Sequence, residues 1–380
     1  MNSRTFFFDK KIIAVSLLYF LAGGFILFKY GIQLGGEAEK YIDNAHRILN
    51  GHELRNGIFG IFYFVYSLLV SIFIGLHINL VFVAVVQLFI SFLAAIALYK
   101  IIWHAFANRT LAFIFFCAFL FCYPVQKWNF YLFSESLHTS ILVFGMYYFQ
   151  KALRASSIRN WWLLSIFILL IIFSRPVGVI FLLSAMLAFA FWMYSQSKKV
   201  LAGIIIIAML ASFIGLTYSP LASFVNPDSL KRMEVICQVP ETNVDANYTE
   251  FNEAGLYEVY KVIRDDIGWG GFLKTGINKL GCFYGMARPY YSWSNNGLLL
   301  LYLIFYPFAI IGIFSKRSTG FKSIKWLSVL YLLFTSFAIF FTCDDWANRF
   351  ISPAFPFILL LAANGLYLLM KKPVNPEQAN

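Results

Sequence analysis

Apolar runs of about twenty residues, each long enough to cross a bilayer, follow one another along most of this chain with short polar gaps between them. They lie at 12–30, 79–101, 110–124, 135–152, 160–175, 177–195, 200–218, 296–314, 325–342 and 351–370, which predicts about ten crossings. The runs at 160–175 and 177–195 are short and meet at Ser174-Arg175-Pro176, as helices do that end part-way through the membrane. The first run is too long for a signal-peptide core and is followed by no small-residue cleavage site, so it is an uncleaved helix.

One further apolar run, 58–76, changes the topology according to how it is placed. If it crosses, the basic gaps at Lys100–Arg109, Lys151–Arg159, Lys198–Lys199, Lys316–Lys325 and Lys371–Lys372 fall on different sides. If it lies in the interface or re-enters, all of them fall inside, as the positive-inside rule favours. With Arg4, Lys10 and Lys11 ahead of the first helix, this places both termini in the cytoplasm, nearly all acidic residues outside, and the loop at 219–295 outside. That loop, with helical patches at 250–267 and 271–283, is read as a cap, giving three parts: 1–218, 219–295 and 296–380.

The stretch 34–54 is the first polar one, and it belongs to the external region 31–78. Ala38, Tyr41, Ile42, Ala45, Ile48 and Leu49 recur there at helical spacing, which predicts an amphipathic helix at the membrane surface with Glu37 and Glu39 at its N-terminal end. Complementarity of a first-turn carboxylate to the helix dipole is the plainest explanation of such acids.

Composition agrees. The chain has 380 residues, is 60% hydrophobic and only 13% charged, which excludes a soluble domain and makes it an all-α polytopic membrane protein with in-plane helices and one larger external loop. Its formal charge of +12 sits in the gaps between spans, so it signals membrane orientation and excludes nucleic-acid binding. Cys117 and Cys122 are packing residues, and Cys237, Cys282 and Cys343 lie outside the bilayer, where one disulfide is open.

Three acidic sites face outward: Glu37 with Glu39, Glu135 with His138 one turn on, and Asp344-Asp345. Beside them stand Arg175, Lys274, Lys279, Arg288 and Arg349. Carboxylates beside cations at a membrane surface suit transfer from an anionic lipid-linked donor: the carboxylate takes a proton from the acceptor hydroxyl while the cations stabilise the departing phosphate. Taken singly, each cation is more simply an interfacial anchor.

Five stretches in order resemble the GT-C superfamily of polyprenyl-phosphate-dependent glycosyltransferases, near the bacterial relatives of protein mannosyltransferases and the aminoarabinose transferase. They are Gly36-Glu37-Ala38-Glu39-Lys40-Tyr41 with Leu49-Asn50-Gly51; Ser134-Glu135-Ser136; Ser174-Arg175-Pro176-Val177-Gly178; Lys279-Leu280 through Arg288-Pro289-Tyr290-Tyr291-Ser292; and Ala347-Asn348-Arg349-Phe350 with Ala362-Ala363-Asn364-Gly365. The resemblance implies a GT-C-like fold and an inverting transfer of one sugar to a lipid, glycan or protein acceptor at the external face of a bacterial cytoplasmic membrane. It implies Glu37 as base, where the family usually has Asp, with Glu39, Asp43 or Glu135 as alternatives. Arg288 and Arg349 would hold the donor phosphate, with Lys279 and Arg175 behind them, and Tyr41, Asp43, His138, Tyr290 and Ser292 in support. Some members bind a divalent metal near the acidic loop; Glu37 and His138 are the candidate ligands here, and two ligands do not make a site. The competing readings are a polysaccharide polymerase or ligase, and a lipid-linked sugar flippase or transporter.

Overall fold

A computed structural model of the chain describes residues 10–55, 57–155, 157–207, 230–236, 260–315, 321–342 and 347–370. Asp344, Asp345, Cys237, Cys343, the basic residues Lys316 and Arg317, and most of the first helical patch at 250–267 lie outside the described residues. The second patch is a helix, Gly268–Gly285.

The described residues are helical, with one isolated parallel bridge between Gln33 and Tyr131. In chain order the helices are α1 (Lys10–Tyr30), α2 (Ala38–Leu49), α3 (Phe64–Gly75), α4 (Val81–Phe106), α5 (Arg109–Leu120), α6 (Tyr123–Gln126), α7 (Glu135–Arg154), α8 (Ile158–Ser174) and α9 (Gly178–Ser195). Beyond residue 267 come α10 (Gly268–Gly285), α11 (Trp293–Phe314), α12 (Lys322–Phe341) and α13 (Ile351–Met370).

Six of these, α1, α4, α9, α11, α12 and α13, are long and apolar enough to cross a membrane, and α5 with 123–130 makes a seventh if the pair, bent by 48°, is one span. The remaining expected spans differ for identifiable reasons. α8 has 17 residues, about 26 Å of helix against about 30 Å of hydrocarbon. α7 is long enough but carries Glu135, His138, Gln150, Lys151 and Arg154, and its first half is buried in protein rather than facing lipid. The run 200–218 is described only to residue 207. Burial separates the six further. Only 22% of the α1 window and 17% of the α11 window are buried inside the protein, against 72% for α13.

The chain clusters into two compact units. The first comprises Met1–Leu182, Ile304–Ser328 and Phe355–Asn380; the second comprises Leu183–Leu303 and Val329–Ala354.

In the first unit α7 packs between α4 and α8. Gly145 makes this possible: a Cβ there would press on Ile171 and Phe181. α11 and α13 approach closely at Gly312 and Gly365, each lying against a main-chain carbonyl of the other helix, and Asn364 Nδ2 donates to Gly312 O at 2.8 Å. Small residues with one polar side chain at the contact are how helices associate in lipid. The Ala-Ala-Asn-Gly match of the sequence therefore has a packing explanation.

The course of α3 is informative. Tyr66, near its start, donates to Gln87 Oε1 (3.0 Å), one and a half turns into α4, while Gly75 at its end meets Leu49 of α2. α3 thus runs along only the first turns of α4, parallel to α2, and does not extend toward Lys100.

Candidate functional site

The site grows from the segments just before α2 and α7, which belong to the same unit. Their tie is main-chain: Gln33 N donates to Phe130 O (2.7 Å) and Leu132 N donates to Gln33 O (3.1 Å). Gly35 lies against the Phe133 ring, where a Cβ would clash.

α2 then presents Ala38, Tyr41 and Ala45 inward, as their spacing predicts. Tyr41 is fully buried, its hydroxyl 3.0 Å from Ser134 Oγ, and its ring meets Tyr63 and Tyr66 edge-on. Burial raises the Tyr41 phenol well above its ordinary value; Glu135 and Glu37 push the same way and Arg175 opposes. The phenol stays neutral, and it senses all three charged groups at once.

Glu135 opens α7 with no exposure at all and forms a buried ion pair with Arg175, the residue at which α8 ends. Arg175 is extended, and Pro176-Val177 turn the chain into α9 so tightly that Gly178 sits on the carbonyl of Ile171. A side chain at 178 would force α8 and α9 apart and move Arg175 with them.

His138, one turn after Glu135, is also fully buried. Its Nδ1 lies 2.6 Å from Ser174 Oγ, whose own proton is donated to Ile171 O at 2.8 Å. The hydroxyl therefore accepts from Nδ1–H, which leaves Nε2 as the lone-pair nitrogen. That nitrogen has no hydrogen-bond partner among the described residues.

The other first-loop acids point elsewhere. Glu37 is half-buried at the N-cap of α2, whereas Glu39 is exposed. Asp43 pairs with Arg47 one turn on (3.1 Å) at the surface. The four candidates thus divide: Glu37 and Glu135 share the Tyr41 cluster, and Glu39 and Asp43 do not.

Behind this cluster lies a buried polar network with no counterpart among the sequence candidates. Gln87 Nε2 donates to the carbonyls of Asn129 (3.0 Å) and Tyr131 (3.1 Å). Asn129 accepts from Ser136 and donates to Gln126 Oε1 (2.6 Å), which also receives the Tyr19 and Ser91 hydroxyls. These bonds anchor the segment before α7 to α1 and α4. The signal was present: Gln87 and Gln126 interrupt apolar runs, and polar groups at membrane depth mark function or structure.

In the second unit the expected phosphate ligands have structural partners. Arg288 is buried, and its Nη1 donates to Cys282 O (2.7 Å) and Ala287 O (3.3 Å), closing the C-terminal end of α10. Its main chain is held reciprocally by Asn296. Asn348 donates to Met286 O (2.6 Å), which sets the buried Arg349 beside that same helix end. Lys279 is buried with its Nζ 3.5 Å from Phe340 O; burial lowers its ammonium to about 8, against the opposing pull of Glu234. Ser292 caps α11 and Tyr290 is half exposed.

A resident divalent ion does not fit what is present. Glu135 is held by Arg175, and no group of three His, Cys, Asp or Glu that could bind a metal occurs among the described residues. Comparison with protein-family models, with curated proteins and with solved structures finds no match to this chain. The chain is an all-α membrane protein with a buried Glu135–Arg175 ion pair at one end of its first unit.

Proposed function

We propose that this protein is an inverting glycosyltransferase that moves one sugar from a polyprenyl-phosphate donor to an acceptor hydroxyl at the external end of the first unit. The observation that carries the reading is the gathering of Glu37, Tyr41, Glu135 and Arg175 from three separate stretches of chain. Its location also fits. The cluster lies at the Gln87 end of α4, and Lys100 and His104 lie at the other end, seventeen residues from Gln87 to His104 or about 26 Å. Acids at one end and cations at the other are what the positive-inside orientation requires.

Within this reading Glu135 is a structural anion, neutralised by Arg175, and the base is Glu37, which remains half exposed. Glu37 accepts the acceptor's hydroxyl proton as that oxygen attacks the anomeric carbon. The bond from carbon to phosphate oxygen breaks with inversion, and the polyprenyl phosphate leaves carrying its charge. Arg175, in the same unit as Glu37, offsets that charge, and the hydrogen bonds of Arg288 hold the end of α10.

The test is sugar transfer from radiolabelled polyprenyl-phosphate sugars by purified wild type, Glu37→Gln and Glu39→Gln. A fall of about 10²–10⁴ in Glu37→Gln with unchanged thermal unfolding, and little change in Glu39→Gln, is expected. Equal activity in wild type and Glu37→Gln would remove the base assignment. No transfer from any donor by folded wild type would remove the glycosyltransferase reading and favour a flippase or polymerase.

A further inference from the structure

Cations gather at the end of the first unit away from Glu135, and the described residues set no carboxylate against them. Lys100 in α4 and Lys151 in α7 lie within electrostatic range of each other, and His104 faces Lys100, Lys151 and Arg154. Gln150 Nε2 bonds Ile101 O (3.3 Å), which locks the two helices together where these cations meet. Lys100 and Lys151 are half-buried rather than splayed into water, and His104 and Arg154 stand a turn farther out.

No carboxylate forms an ion pair with any of the four among the described residues. The sequence explains why. Of the 18 acidic residues, none lies between positions 54 and 134 or between 136 and 227, the stretches from which this end is largely built. Lys325 of α12, by contrast, is satisfied by the carbonyls of Ser315 (2.7 Å) and Ile313 (3.4 Å). Lys151 instead lies over the rings of Tyr147 and Tyr148, 5.6 and 5.7 Å from their centroids, and Trp103 packs beside His104.

We propose that Lys100, Lys151, His104 and Arg154 form a binding site for the phosphate of an anionic membrane lipid. Half-buried like charges held side by side need a counter-charge, and a phosphodiester supplies it at the depth where Trp and Tyr rings mark the bilayer boundary. The neighbouring first turns of α8 favour a lipid over a soluble anion, since Ile158 and Trp162 stand 79% and 66% exposed for acyl chains to cover. The site is separate from the Glu135 cluster and does not depend on the activity proposed for it.

The experiment is native mass spectrometry of the full chain in detergent, titrated with phosphatidylglycerol, phosphatidylcholine or inorganic phosphate, with thermal unfolding in parallel. Wild type is expected to retain phosphatidylglycerol in preference to phosphatidylcholine, and millimolar phosphate is expected not to displace it. Lys100→Gln/Lys151→Gln should weaken retention about thirtyfold, about fivefold for each charge removed. If that variant does not fold, Arg154→Gln, at an exposed position, should still weaken it about fivefold. Equal retention of both lipids, unchanged retention in the variants, or displacement by phosphate would each overturn the proposal, the last by assigning a soluble anion to the site.

Discussion

Arg175 and Arg288 look alike in the sequence, each a lone arginine beside a proline in a membrane protein, and both are buried. They do different work. Arg175 faces the Glu135 carboxylate, so each member of the pair is costly without the other. Arg288 faces carbonyls at the end of α10, where a cation complements the helix dipole. Residue type and neighbourhood therefore do not decide between an ion-pair arginine and a capping one; the partner does.

The sharpest way to break this comparison is Glu135→Ala. It leaves Arg175 buried without its counter-charge and should destabilise the protein by about 3–5 kcal/mol, read by thermal unfolding in detergent. Glu135→Leu with Arg175→Met should recover much of that loss; no recovery would mean that the pair does not act as a unit. Arg288→Ala should cost less, about 1.5–3 kcal/mol for hydrogen bonds made by a charged group, read by the same thermal unfolding.

Lys279 extends the comparison to pH. Its folded pKa of about 8 lies below the ordinary lysine value of 10.5, so the unfolded chain binds more protons between those values. Stability should therefore rise as pH rises from about 8 toward 10.5, and Lys279→Met should abolish that rise; a flat profile in wild type would show the ammonium to be solvated. If Lys279 meets an anionic donor, donor binding should fall as pH rises through about 8, where the folded protein loses that charge. The smallest effect belongs to Asp43→Asn, which removes an exposed i,i+4 pair and should change stability by about 0.3–0.5 kcal/mol.

These contrasts also mark how far the sequence could be read. The inward face of α2 was legible because Ala38, Tyr41 and Ala45 recur with the helical period, and the long apolar helices because length and hydropathy are local properties. α7 was expected as an ordinary span, yet its polar N-terminal half is shielded by protein, a fact of packing that no window along the chain contains. The Asn129 network was hidden for the same reason: Tyr19 and Gln126 are 107 positions apart, and nothing in either neighbourhood names the other. The helix-end partners of Arg288 were out of reach in the same way, because they depend on how the chain turns after α10.

The junction of Gln33 with Phe130 and Leu132 has a consequence for how this protein tolerates change. Its two hydrogen bonds run between peptide groups, so every amino acid except proline can maintain them. Alanine at Gln33, Phe130 or Leu132 would pass over these two bonds without registering them. Side chains at these three positions can drift over generations without breaking the bonds, whereas Gln33→Pro or Leu132→Pro would each remove one donor.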